Sequence, residues 1–374
     1  MLKLVYGCLA VSLIACIFLF VAASGNQDGF HGTTKVMSDA LVQGATVLDA
    51  DAHGAVTQTG NGRIRGYVRG GGEQWSTSFD PFEEGPTNPY GAGQIEAHAW
   101  CTGSCPNAIT QIDGAFTDHG NAGARLAAKL TSMQLTDKSI LALTLPNVAL
   151  VTTGTPPNQK LLSVLNDSVT DVGVANPSVA TVDRNYDHAI VGSARGNVGF
   201  LTRLTWESGK EWKILEPRLR EVGLRNSCLS DNGISAGMVA NRVRQFEFFK
   251  QPGHSLGPAV GSGTCSIDNE GVTAIYTQLT NTAQLESARY STTGKRVWLH
   301  KFAGGERLIS GSSSAYVVVQ GQGGLVTALD SVTGRIAFQK HINGVPFVAR
   351  DGSIVTANRK GEPQWLFAGK PVGG

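Results

Sequence analysis

The sequence predicts an all-β propeller, a ring of similar antiparallel sheets, and three observations predict it. Composition comes first: the chain holds 47 glycines but only 16% charged residues. Such a chain makes many tight turns and lacks the Ala, Leu, Glu and Lys on which helical bundles draw. Second, a large ring follows a glycine by four residues at Gly71 and Trp75, Gly294 and Trp298, Gly334 and Phe338, and Gly361 and Trp365. The glycine supplies a turn and the ring marks the strand after it, so one supersecondary unit is reused. Third, an acidic turn recurs: Cys228 to Gly233 carries Asp231, and Cys265 to Gly271, 37 residues later, carries Asp268. Asp183 and Asp351 fit the same place more loosely, and a carboxylate there accepts hydrogen bonds from turn amides.

Taken in order, residues 1–3 precede an uncharged run of twenty residues, Leu4 to Ala23. That run is long enough to span a bilayer, and Lys3 before it places the N-terminus in the cytoplasm. It reads as a retained signal anchor, although Val21-Ala22-Ala23 is also an acceptable cleavage site. Residues 24–45 form a polar juxtamembrane linker, and 46–374 the extracytoplasmic propeller. Ile64 to Val68, Ala189 to Val191, Ala315 to Val319 and Ile354 to Thr356 read as strands bounded by turn residues. Residues 83–135 break the repeat and read as an irregular insertion, with Asn121 to Met133 its one helical segment. The glycine turns at 294 and 334 stand 40 residues apart, close to the roughly 40 to 50 of a four-stranded blade. The last interval, 334 to 361, is only 27, which points to a truncated last blade completed by the N-terminal segment. Seven or eight blades follow from these landmarks.

The repeat also carries a family likeness. Ala328-Leu329-Asp330-Ser331-Val332-Thr333-Gly334-Arg335-Ile336-Ala337-Phe338 and Arg289-Tyr290-Ser291-Thr292-Thr293-Gly294-Lys295-Arg296-Val297-Trp298 resemble the repeat of PQQ-like, quinoprotein-type β-propellers. The likeness covers Cys265 to Phe367 well, loosens at Trp206 to Trp212, and before Thr181 rests on Gly71 to Trp75. It implies that Trp75, Trp298, Phe338 and Trp365 are structural aromatics packed between blades. The family's quinone-dependent enzymes have vicinal cysteines and calcium-holding carboxylates on a longer chain, and no two cysteines are adjacent here. Other members are non-catalytic binding surfaces, among them an outer-membrane assembly lipoprotein.

Cys8 and Cys16 fall in the span, leaving Cys101, Cys105, Cys228 and Cys265 outside. An even set in an oxidising compartment implies disulfides, with Cys101 to Cys105 closing a small loop and Cys228 left for Cys265. The metal alternative is a set of His98, Cys101, Cys105 and His119, whose spacing is irregular for zinc. Gly253-His254-Ser255-Leu256-Gly257 matches a nucleophile elbow in letters, but Pro252 and the glycines after it deny the strand and helix an elbow needs. Asp183 to Asp187 and Asp49 to Gly54 place oxygen ligands at alternate positions as calcium loops do, yet neither has the closing glutamate. A net charge of +2 without a basic stripe speaks against nucleic acid. The remaining candidate is the loop around Tyr90, His98 and Trp100 beside the Cys101–Cys105 pair. It serves either as a recognition site exposing aromatic rings or as a cover over one face. The expectation is a membrane-tethered, non-catalytic propeller without cofactor or metal that docks a protein or cell-envelope component. The alternative is a quinoprotein-related oxidoreductase or a hydrolase using Ser255.

Overall fold

A computed structural model describes residues 45–369 apart from connecting segments, the longest of them 78–95. The span at 4–23, Tyr90 and Asp183 to Asp187 lie outside the described residues. The first sheet runs β1 (Thr46–Ala50), β2 (Gly54–Gln58), β3 (Ile64–Val68), β4 (Gly72–Ser76), and the second β5 (Glu96–Trp100), β6 (Asn107–Ile112), β7 (Ala115–His119). Helix α1 (Ala124–Ser132) follows and packs on β7 where other sheets carry a fourth strand. The third sheet is β8 (Ser139–Leu145), β9 (Val148–Thr153), β10 (Lys160–Leu165), β11 (Ser168–Ala175). The fourth is β12 (Pro177–Val182), β13 (His188–Arg195), β14 (Val198–Glu207), β15 (Glu211–Leu219). In the fifth stand β16 (Val222–Leu229), β17 (Ser235–Ala240), β18 (Arg244–Phe248) and β19 (Ser255–Leu256). The sixth holds β20 (Val260–Ile267), β21 (Gly271–Gln278), β22 (Leu285–Ser291) and β23 (Arg296–Lys301). The seventh holds β24 (Arg307–Leu308), β25 (Tyr316–Gln320), β26 (Leu325–Asp330) and β27 (Ile336–His341). The eighth is β28 (Phe347–Val348), β29 (Ile354–Ala357), β30 (Pro363–Phe367).

Each sheet is an antiparallel meander, and its first strand touches the first strand of the next from β1 through β5, β8, β12 and β16 to β20. Strand β1 also touches β28 and β29, so the first and last sheets meet and the sheets form a propeller ring. Sheets in such a ring have both faces covered near the axis and lose that cover at the rim. Strand β25, Tyr-Val-Val-Val-Gln, is accordingly buried at all five positions, whereas β27 at the rim has no buried residue. A continuous β-branched run is what a strand buried on both faces requires.

Each described apolar cluster sits in the joint between two neighbouring sheets. Leu48, Val56 and Ile64 meet Ala99, Cys101 and Ala108 between the first and second. Trp100, Ile109 and Phe116 meet Leu126 and Leu130 of α1 and Val151 and Val164 beyond it. Leu150 and Leu161 face Val191, Leu204 and Trp212, Ile275 and Leu285 face Val317 and Leu329, and Val318 and Val326 face Ile354. The joint that closes the ring joins Ala50 and Ala55 to Val355. There Thr57 Oγ1 donates to the Gly361 carbonyl at 2.7 Å and Trp365 Nε1 to the Asp51 carbonyl at 2.9 Å.

The repeat landmarks have a shared geometry. Gly294, Gly334 and Gly361 lie at φ 80, 70 and 85°, where a side chain is strained. In the first sheet the positive φ falls instead on Gly70 and Gly72, flanking Gly71. The rings reach into the neighbouring sheet: Trp75 Nε1 donates to Pro106 O at 3.0 Å and Trp298 Nε1 to Val332 O at 2.9 Å. Phe338 packs on Phe367 at 5.4 Å between centroids.

Two expectations change. Glu96–Trp100, Asn107–Ile112 and Ala115–His119 form a three-stranded sheet within the ring, so this part of the 83–135 stretch belongs to the repeat, while 83–95 lies outside the described residues. Among the described residues the last sheet has three strands, and β1 belongs to its own sheet, so no shared strand closes the ring there. Side-chain packing does that work. The segment expected to be helical is α1, its last carbonyls capped by Lys138 Nζ, which donates to Leu130 O at 2.6 Å and Met133 O at 2.8 Å.

Leu150 is fully buried in the joint between the third and fourth sheets, and Val297 at the rim is 60% exposed. Leu150→Ala should cost about 2–5 kcal/mol and lower the urea midpoint, whereas Val297→Ala should stay within about 0.5 kcal/mol.

Candidate functional site

The turn between the first two strands of a sheet recurs around one face of the ring. In the first sheet it is built by Asp51, whose Oδ1 accepts the His53 amide at 2.7 Å and the Gly54 amide at 2.9 Å. Asp268 does the same for Glu270 and Gly271 at 2.9 and 3.0 Å, and Asp351 accepts the Ser353 amide at 2.8 Å. Asp268 also pairs at 2.8 Å with the buried Arg289. These carboxylates replace the amide partners that a tight turn would leave unmet.

At the corresponding turn of the second sheet, between β5 and β6, stands the disulfide of Cys101 and Cys105, with Cα atoms 4.2 Å apart. The first sheet holds it in place. Buried Asp49, 4% exposed, accepts the Ala50 amide through Oδ1 at 2.9 Å and the Cys101 amide through Oδ2 at 3.0 Å. Gly54 approaches so closely that a Cβ there would stand 2.7 Å from Cys105 Sγ. The carboxyl of Asp51 lies beside the pair, its pKa raised chiefly by burial, which outweighs the amides of His53 and Gly54, and also by nearby Asp351. Thus the first turns of the first, second and eighth sheets converge at the joint where the ring begins.

Behind the loop, Trp75 stacks on His119 with centroids 5.2 Å apart and planes at 24°. His119 Nε2 lies 3.0 Å from Thr110 Oγ1, and burial holds the imidazole below its ordinary pKa.

Of the two readings of this loop, exposed aromatic rings or a cover over one face, His98 and Trp100 do not fit the first. His98 is 1% and Trp100 4% exposed, because β5 is an inner strand with both faces covered. Trp100 packs toward α1 and the third sheet, and Ala99 and Cys101 toward the first. Neither is a surface recognition group. The aspartates in Asp49 to Gly54 are occupied as turn and loop acceptors, and the sequence offered no signal for the bond from Asp49 to Cys101, 52 residues away. Aligning the acidic turns would have shown Cys101 to Cys105 in a first-turn position. Ser255 lies in edge strand β19, paired with Glu247, and the chain continues into β20 instead of a helix. Cys265, in the first strand of the sixth sheet, is disulfide-bonded.

No family model and no curated protein matches the chain. Among solved structures it is similar to the computationally designed Ika8 protein, with a TM-score of 0.50 at 11% identity over 91% of this chain and 99% of that one. It is also similar to BamB from Moraxella catarrhalis, with a TM-score of 0.48 at 13% identity over 90% of this chain and 100% of that one. Apo AztD from Citrobacter koseri gives a TM-score of 0.47 at 10% identity over 86% and 94%. These likenesses are ones of fold.

Because burial depresses the His119 pKa, the folded state binds this proton less readily than the unfolded chain. The histidine's contribution is therefore complete above about pH 6.5 and declines as pH falls through that value. His119→Gln should flatten the loss of unfolding free energy between pH 7.5 and 5, measured by urea denaturation at each pH.

Proposed function

We propose that the chain is an eight-bladed propeller, each sheet one blade, that docks a protein or cell-envelope component without catalysis. Residues 4–23 tether it to the membrane with the N-terminus in the cytoplasm and the ring outside. The observation that carries this reading is the convergence of first turns around a disulfide-closed loop. The two ends of that loop are held by a covalent bond, the Asp49 carboxylate and a close contact at Gly54, and anchored ends reduce the entropy a loop loses on binding. Rigid rings that present such loops act as platforms, and a membrane tether turns a weak contact into an effectively intramolecular one. In the same reading Cys228 pairs with Cys265, since β16 and β20, which hold them, are in contact. That bond would staple the first strands of the fifth and sixth blades.

The test is extraction of the full chain in mild detergent, followed by mass spectrometry of what co-purifies. A stoichiometric envelope protein retained by the wild type and lost from a Cys101→Ser/Cys105→Ser variant supports docking at this face. Free monomer alone overturns it. Labelling by a reactive-serine probe that disappears in Ser255→Ala, or a quinone absorbance band after addition of PQQ and calcium, would replace it with an enzymatic reading.

A further inference from the structure

Beyond docking, the first-turn face brings together a group of ligand atoms that the disulfide conceals. The Sγ atoms of Cys101 and Cys105 and a carboxylate oxygen of Asp51 all lie within 4.8 Å of one another. We propose that, once the Cys101–Cys105 bond is reduced, these three side chains take up one thiophilic divalent cation of the zinc class.

The donor set fits the chemistry. Zinc accepts two thiolates at about 2.3 Å and a carboxylate at about 2.0–2.2 Å, and sites with three protein ligands keep a fourth position open for water or another ligand. The ligands are also oriented from behind. Asp51 Oδ1 is committed to the His53 and Gly54 amides, while Oδ2 accepts no hydrogen bond among the described residues. Asp49 holds the Cys101 amide, and Gly54 leaves room for Cys105 Sγ. Outer contacts of this type fix ligand geometry and commonly alter metal affinity by about 10- to 100-fold. Neither His98 nor His119 joins the group. His98 is buried within β5, and His119 is engaged with Thr110 and Trp75.

The step balances with a dithiol as reductant. Two electrons and two protons pass to the pair, the S–S bond breaks, two S–H bonds form, and the reductant becomes a disulfide. Binding the cation then releases both thiol protons to solvent, because only thiolate is a strong ligand. A disulfide oxidant reverses the sequence, taking two electrons from the thiolates and two protons from solvent to become a dithiol, and the cation leaves because disulfide sulfurs carry no charge to hold it. The site therefore holds metal only in the reduced state.

Cobalt(II) is the probe, since its thiolate complexes absorb where the protein does not. The full chain is reduced with a phosphine, desalted without oxygen and titrated with cobalt. The wild type should bind one cobalt with a thiolate charge-transfer band that zinc displaces, and the oxidised protein should show none. Cys101→Ser/Cys105→Ser should abolish the band, Cys228→Ser/Cys265→Ser should leave it, and Asp51→Asn should weaken cobalt binding by about tenfold or more. The amide oxygen of the asparagine keeps the turn acceptor, so folding is preserved in that variant. A reduced wild type without the band would overturn the proposal. So would a band that survives loss of Cys101 and Cys105, or an Asp51→Asn affinity equal to that of the wild type.

Discussion

The fold depends on apolar packing across the joints between neighbouring sheets. Within a sheet the hydrogen bonds are satisfied by the meander itself, and they would be satisfied equally in eight separate sheets. What makes one object is that inner strands are apolar on both faces, so each sheet needs a neighbour on each side. A line of sheets would leave two apolar faces in water. The ring removes them at the joint where Ala50 and Ala55 meet Val355. That joint has no covalent or shared-strand closure among the described residues, so its polar bonds, from Thr57 to Gly361 and from Trp365 to Asp51, set its register.

The candidate site follows from that closure. Asp51 serves three neighbours at once: its side chain builds its own turn, its carbonyl receives Trp365 from the last sheet, and its carboxyl lies against the disulfide of the second. A surface assembled from three sheets holds its shape only while the ring stays closed. The covalent bond stands at the inner turn of the second sheet, between β5 and β6, while α1 packs on β7 at the outer side of the same sheet. A disulfide there limits the alternatives open to that turn in the unfolded chain.

Much of the architecture was legible because turns and rings are local features. Gly294, Gly334 and Gly361 announce their positive φ by being glycine, and the rings after these three and after Gly71 contact the neighbouring sheet. The second sheet was not legible. Glu-Ala-His-Ala-Trp and Asn-Ala-Ile-Thr-Gln-Ile are short, small and partly polar, so they lack the β-branched density that marks β25. Their burial comes from partners far away in the chain, which propensity does not report. His98 and Trp100 show the consequence: local sequence does not distinguish a loop, where such residues stand outside, from an inner strand, where they are enclosed. The contacts of Asp49 and Asp51 were likewise invisible, since each spans two sheets.

The first and last sheets close the ring by side-chain packing and hold it as one unit. Hydrogen exchange read by mass spectrometry, comparing the wild type with Trp365→Ala, tests this most directly. If the ring is one closed unit, peptides covering β1 and β2 lose protection together with those covering β28 to β30. Loss confined to β30, with β1 and β2 as protected as before, would mean that packing at this joint does not close the ring.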